Sequence, residues 1–403
     1  MAFGANPHWG RYQNGIEFIM ICHRLRWLLV AASLLCCVGL IGMVVGGRRR
    51  AWWLVGLAPV LALFAYRFVT NASGPYGILD EPAFVSADAA PLADGDYVVG
   101  VVFNGESYAY PYSILYAYPI VIQSDQDQHQ MLVWSAFANR ALCVPVDRTI
   151  HGRELQIVSM PANMPLLYNG HSGQFINGIT GRTMDNLPAA GIAIGPATPT
   201  IKTTWRIWRS MHPFTHVLAT PSNLPPNMPS AAVMPYYPMP PRGSIPPAVP
   251  VVLIDSTPPA AADLSALTGP GPRIANFHAG STAVLLIADP VTGQVRVFDR
   301  QVSDDLVPTF HPRRSAAAPT AAMIDSDSGS LWTSEGIAVD GPLKGKRLTP
   351  LTIDQDAYYD VIAPWFTGLV PTTPTQEPPL GAPQSSPPTP GRTRKSPAGA
   401  PRG

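Results

Sequence analysis

Apolar and polar positions follow one another along this chain mainly in short strand-length bursts broken by turn residues. "DYVVGVVFNGESYAY" (96–110) reads as strand, turn, strand, because β-branched and aromatic residues flank Asn104-Gly105, a pair that accepts the positive φ of a tight hairpin. "QMLVWSAF" (130–137) and "LQIVSM" (155–160) are further strand-length runs. "AVLLIADPVTGQVRVFDR" (283–300) is the clearest hairpin, with Pro290 and Gly293 supplying the special backbone angles of its turn. One segment has helical period instead. "TTWRIWRSMHP" (203–213) opens on a threonine that can cap and places Trp205, Trp208 and Met211 on one face, and Pro213 ends it. Aromatics at that spacing form a packing face.

Two longer apolar runs near the amino terminus have neither period. Residues 26–47 carry no charge after Arg26, and 51–69 form a second run with Trp52 and Trp53 at its start. A bilayer core needs about 20 apolar residues in a helix that satisfies its own backbone. The pattern predicts a two-helix transmembrane hairpin, kinked at Pro59, with the tryptophans in the interfacial belt. The first run is too long for a signal-peptide core and is followed by no small-residue cleavage site. Leu35 before Cys36 argues against a lipoprotein anchor. Arg48, Arg49 and Arg50 between the runs favour a cytoplasmic loop, which puts the main domain outside the cytoplasm, although Arg24 and Arg26 pull the other way.

Proline divides what remains. Residues 221–250 are a proline-dominated connector, and 371–403 form a Pro/Ser/Thr/Gly tail too poor in apolar residues to fold. Between them, "YAYPYSIL" (108–115) is echoed by "AAADLSAL" (260–267), and "LLYNGHSGQFINGITG" (166–181) by "AAMIDSDSGSLWTSEG" (321–336). The order and offset are preserved, which predicts an internal duplication of about 120 residues. The expected organisation is an N-terminal segment (1–25), two transmembrane helices (26–70), a linker (71–93), a first β-rich half (94–220), the connector (221–250), a second β-rich half (251–370) and a disordered tail (371–403). Sequential hairpins predict a mainly β fold, barrel- or sandwich-like, with one or two short helices.

Composition narrows the partners. The formal net charge of the 403 residues is +1, and no Lys/Arg run is interleaved with aromatics, so a nucleic-acid partner is not expected. Of four cysteines only Cys143 lies in the later part, which therefore has no internal disulfide. The expected partners are the membrane itself and a protein reached through the β domain or the proline-rich segments.

Four short motifs bear on chemistry. "GHSGQ" (170–174) resembles a nucleophile elbow with Ser172 as nucleophile beside His171, but Gln174 replaces the last glycine and the setting is strand–turn–strand. His212 and His216 have zinc-site spacing, yet Pro213 breaks the helix that would align them. "DSDSGS" (325–330) offers Asp325 and Asp327 as calcium ligands, but Gly329 falls one place early for an EF-hand and Gly336 stands where the bidentate Glu belongs. "GPLKGKRL" (341–348) sets Lys344, Lys346 and Arg347 near glycines without phosphate-loop spacing. Each has a plainer reading as a turn, Trp332 and Leu348 read as core, and no cofactor is implied.

The ordered set of motifs resembles the bacterial domain of unknown function 3179 family, itself built as two related halves. "GVVFNGESYAYPYSIL" and "TTWRIWRSMHPFTHVL" match the opening and closing signatures of its first half; "DPVTGQVRVFDR" and "DSDSGSLW…GIAVDGPLKGKRLTPL" match those of its second. The resemblance spans 94–369. It implies an integral protein of a bacterial plasma membrane. Many members carry a cysteine-containing element where this chain has Ser135 and Ala138, and a His-Glu pair where it has Tyr118 and Pro119. Metal, redox or acid–base chemistry at those places has no substitute here. The expectation is a membrane-anchored, non-catalytic binding or scaffold module; the alternative is an enzyme, perhaps a hydrolase, with a site between the two halves. A cleft gathering His151, His171, His278, His311 or carboxylates from both halves would favour the alternative.

Overall fold

The computed structural model describes residues 14–46, 76–231 and 250–379, with short breaks at 126–127, 162–163, 193–196, 227, 269–271, 291 and 314–320, and isolated positions between 55 and 62. Two helices come first. Helix α1 (Gly15–Arg24) is short and amphipathic, and α2 (Arg26–Gly46) is apolar on all sides. The window Arg26–Met43 is long and apolar enough to cross a membrane, and none of it is buried. Signal sequences share those properties. Of the expected hairpin of two membrane helices, only this one helix is found among the described residues; the second run, 51–69, lies almost wholly outside them.

Among the described residues the rest is mainly β, in six sheets of three to five strands. Strands β1 (Ile78–Asp80) and β2 (Phe84–Ser86) precede β3 (Tyr97–Phe103), β4 (Glu106–Pro111) and a helical turn α3 (Tyr112–Leu115). Then come β5 (Ile120–Asp125), β6 (Gln128–Ser135), β7 (Arg140–Val146), β8 (Leu155–Ser159), β9 (Leu166–Asn169) and β10 (Gln174–Asn177). Strand β11 (Thr200–Thr204), helix α4 (Trp205–Met211) and β12 (His216–Leu218) end this part. After 250 follow β13 (Pro250–Ile254), β14 (Ala260–Asp263), β15 (Arg273–Ala279), β16 (Thr282–Ala288), β17 (Val295–Asp299) and β18 (Phe310–Pro312). The remaining elements are β19 (Met323–Asp325), β20 (Leu331–Trp332), β21 (Ala338–Asp340), β22 (Thr349–Pro350), β23 (Ile353–Tyr358), α5 (Tyr359–Ile362) and β24 (Val370–Thr372).

The hairpins fall where the pattern placed them. Asn104 and Gly105 both take positive φ between β3 and β4, and Gly293 does so between β16 and β17. Helix α4 packs Trp205 and Trp208 into a core with Val98, Ala109 and Val217. Gly100 lies directly under the Trp208 indole: a Cβ there would sit 2.2 Å from the ring. Thr204 precedes the helix without a side-chain cap; the backbone N–H of Trp205 instead donates to Asp96 O at 2.6 Å.

Two boundaries differ from the sequence reading. Strands β1 and β2 lie in the expected linker and pair with β5 and β12; at three residues each they are too short to show a period. The expected tail begins inside the fold, since Pro371 and Thr372 belong to β24 and Glu377 donates its N–H to Ile274 O. Residues 380–403 and most of the connector lie outside the described residues.

Two sheets share one plan. Their orders are β11-β3-β4-β12, extended by β2, and β23-β13-β14-β24. In each, a central antiparallel hairpin is flanked by one antiparallel and one parallel neighbour. A single apolar cluster joins both halves: Met164, Leu166, Phe175 and Ile179 meet Val251, Leu253, Tyr358 and Ile362, and Ile19 of α1 inserts among them. The two stretches therefore share a core, and Ile19 of α1 lies in it. His23 lies 4.7 Å from the Tyr168 ring, and Arg26, the first residue of α2, donates to Gln156 Oε1 at 3.0 Å.

Candidate functional site

Chemistry-bearing side chains concentrate where β7, β11 and β23 meet. The hairpin between β6 and β7 turns through Asn139, whose φ of 43° suits the side chain of an asparagine. Asn139 Oδ1 accepts from Tyr112 Oη at 3.0 Å, its Nδ2 donates to Asp356 O at 3.0 Å, and its carbonyl accepts from Lys202 Nζ. The next residue, Arg140, is locked on three sides. Its Nε donates to Ile179 O at 2.7 Å, its Nη1 to Asp354 Oδ2 at 2.8 Å, and the guanidinium carbon lies 5.2 Å from the centre of the Phe366 ring. Lys202 Nζ sits 2.7 Å from Asp354 Oδ1 outside hydrogen-bond geometry, so that contact is ionic.

Two cations thus share one carboxylate, and the three side chains are 10%, 1% and 6% exposed for Arg140, Lys202 and Asp354. Charges so far out of water persist only when paired. Asp356 lies beside them at φ 61°. Burial raises its carboxyl pKa, while Lys202 and a hydrogen bond from Gln355 pull it back. Burial also pushes the Tyr112 hydroxyl well above the ordinary tyrosine range, with Asp356 and Asp354 adding to the effect.

This cluster forms one wall of a cleft of about 420 Å³ between the halves. The first half contributes β7, the 180–189 loop with Arg182 and Asn186, and Thr198 and Thr200; the second contributes Leu253 to Ser256, Asp354, Trp365 and Phe366. A volume of this order fits a small molecule. Among the described residues six non-glycines have positive φ, and three of them, Asn139, Asn186 and Asp356, stand at or beside the cleft. Special backbone angles of that kind gather where a site is being shaped.

The short motifs lie elsewhere and serve the fold. Ser172 and His171 sit in the turn between β9 and β10; Ser172 Oγ donates to Gln174 Oε1 at 3.4 Å, and the His171 N–H is held by Asn169 Oδ1. Asp325 is fully buried rather than solvated. Its Oδ2 accepts from Trp332 Nε1 at 2.8 Å and from Ser328 Oγ at 2.8 Å, which spends the carboxylate on a turn and a core tryptophan. Asp327 Oδ2 caps the N–H of Thr309. His212 ends α4 and His216 begins β12 beside Glu106. Among the described residues no group of three or more His, Cys, Asp or Glu is placed to hold a metal ion. Trp332 and Leu348 are buried, and Gly329 and Gly341 take positive φ, as the turn readings require.

Among the described residues no histidine lines the cleft, and its carboxylates, Asp255 and Asp354, both come from the second half. His278 lies instead in a separate polar hollow with Asp299 and Arg300, and His311 faces Glu377. Ser124, His129 and Glu81 meet on another surface, but both the serine and the carboxylate approach the same Nδ1, so the carboxylate does not orient the ring from its far side as a catalytic triad requires. Ser135 and Ala138 are buried at the turn leading to Asn139 and Arg140, with the Ala138 N–H donating to Ser135 Oγ. Sequence reasoning missed Arg140, Lys202 and Asp354, whose only signal was a charge inside a strand-forming run.

The fold and cleft define a mainly β protein with an apolar N-terminal helix and one cavity shared by its two halves. Residues 77–366 match the family model described as protein of unknown function (DUF3179), and the chain belongs to that family. No curated protein and no solved structure matches it.

Proposed function

We propose that the protein is a membrane-tethered binding module whose ligand occupies the cleft between the halves, with the β body outside the cytoplasm. The observation that carries this reading is the cleft itself, walled by a buried, locked ion cluster and shared by both halves. The cleft's inventory favours binding over reaction. Both oxygens of Asp354 face cations, Ser256 Oγ donates to Pro258 O at 2.8 Å, and no histidine is among the lining residues, so a free base and an activated nucleophile are lacking among them. The shared plan of the two sheets supports an origin of the halves by duplication, which would put the site at their pseudo-symmetric seam. Helix α2 supports the tether by its length and composition, and Arg48 to Arg50 support the orientation.

The test is a thermal-shift screen of small metabolites on the full chain and on Pro188→Trp, which fills the cleft from an exposed lining position. Compounds that stabilise the parent chain and not the variant support the reading. Equal stabilisation of both overturns it. Reporter fusions after Gly403 test the orientation: activity confined to the outside is expected, and a cytoplasmic signal contradicts it.

A further inference from the structure

We infer that the cleft takes a small organic anion, its charged head held by the guanidinium groups of Arg140 and Arg182 and its apolar body against Phe366. This rests on the binding reading above. Arg140 is 9% exposed, and Nε, Nη1 and one face of its guanidinium are committed to Ile179, Asp354 and Phe366. Among the described residues its Nη2 has no protein partner, although the side chain lines the cleft. A planar cation fixed on three sides with one N–H₂ unused is preorganised to donate to an oxyanion, since its ordering cost is met in folding.

The charge count agrees. Within ion-pair distance, Arg140 and Lys202 share the single carboxylate of Asp354. A further carboxylate beside them, Asp356, is pushed by burial toward its neutral form. A bound anion would complete the pairing in a place where an unpaired charge is costly. Arg182 stands exposed on the same lining with only Nη1 engaged, by Asn186 O at 3.2 Å, so it can fold over a ligand. Asp255, also exposed on the lining, disfavours a second negative group on the ligand. Beside the arginines, Leu253, Ile254 and Phe366 give the cleft an apolar floor that selects against a bare inorganic ion.

Isothermal titration of the full chain in lipid nanodiscs with phenylacetate, phenyl phosphate and neutral phenylacetamide tests this. The anions should bind at least about tenfold more tightly than the amide, the worth of one charge-assisted hydrogen bond. Arg182→Gln, an exposed change that leaves the fold intact, should weaken the anions by about tenfold and leave the amide unmoved. Phenyl phosphate, mostly doubly charged near neutral pH, should bind less tightly than phenylacetate because Asp255 faces the same cleft, and the reverse order overturns the single-charge assignment. An amide that binds as tightly as the anions overturns the anion assignment and leaves the cleft reading standing. Anion binding that survives in Pro188→Trp overturns both.

Discussion

Asp354→Asn isolates the ion cluster on which the cleft wall depends. The change keeps shape and removes one negative charge that now faces Arg140 Nη1 at 2.8 Å and Lys202 Nζ at 2.7 Å, with all three side chains at most 10% exposed. Breaking one buried pair costs about 3–5 kcal/mol, because the remaining charge is stranded. Here two cations are stranded, but each keeps other support: Arg140 the Ile179 carbonyl and the Phe366 ring, Lys202 the Asn139 carbonyl. The expected loss is therefore about 4 kcal/mol, or a fall in Tm of about 8–16 °C for a body of this size. Thermal unfolding of the full chain in nanodiscs, followed by near-ultraviolet circular dichroism, reads it directly. Raising salt should change the result little, since buried pairs are poorly screened. Replacing all three together (Arg140→Met, Lys202→Met, Asp354→Leu) should recover most of the loss. A single variant within about 1 kcal/mol of the parent would refute the claim that this cluster is buried and coupled.

Further outcomes follow from the same geometry. Gly100→Ala should destabilise by about 3 kcal/mol, since its Cβ meets the Trp208 ring, and Trp208→Leu should relieve part of that cost in the double variant. Trp332→Phe should cost about 2 kcal/mol in denaturant titration by leaving buried Asp325 short of a donor. The Cys143 thiol, pushed up to about 12 by burial, should resist N-ethylmaleimide in the folded chain and react only after unfolding, as peptide mass spectrometry would show. Burial raises the Asp356 pKa, so the folded chain keeps this proton where the unfolded chain has released it; that stabilisation is present in acid and lost as pH rises through the folded value. Asp356→Asn should accordingly be more stable than the parent at neutral pH, with the advantage vanishing in acid; an advantage that grows in acid would contradict this.

The hairpins were legible because their signals are local. Asn104-Gly105, Gly293 and the Trp205/Trp208 spacing each fix a turn or a face within a few residues. The stretches 166–181 and 321–336 each hold a hairpin, β9-β10 and β19-β20. The cleft was not legible, because its parts are far apart in the chain. Arg140 and Asp354 are separated by 214 residues, and each sits in a strand where a charge ordinarily points to water. Buried charge becomes visible only once the partner is known. Asp325 shows the same limit: "DSDSGS" reads as a turn, and nothing in it tells that the indole of Trp332 draws the carboxylate into the core. Strands β1 and β2 escaped because three residues are too few to display a period, and β24 because it runs through Pro371 at a sheet edge, where the ring's missing donor costs nothing.

The central claim is that the seam between the halves is an anion-binding site. An experimental structure of the full chain with phenylacetate bound tests it most directly. The carboxylate should lie within hydrogen-bond distance of Arg140 Nη2 and of Arg182, with the ring against Phe366. A cleft left empty at saturating probe, or a probe seated with its carboxylate turned away from both arginines, would contradict it.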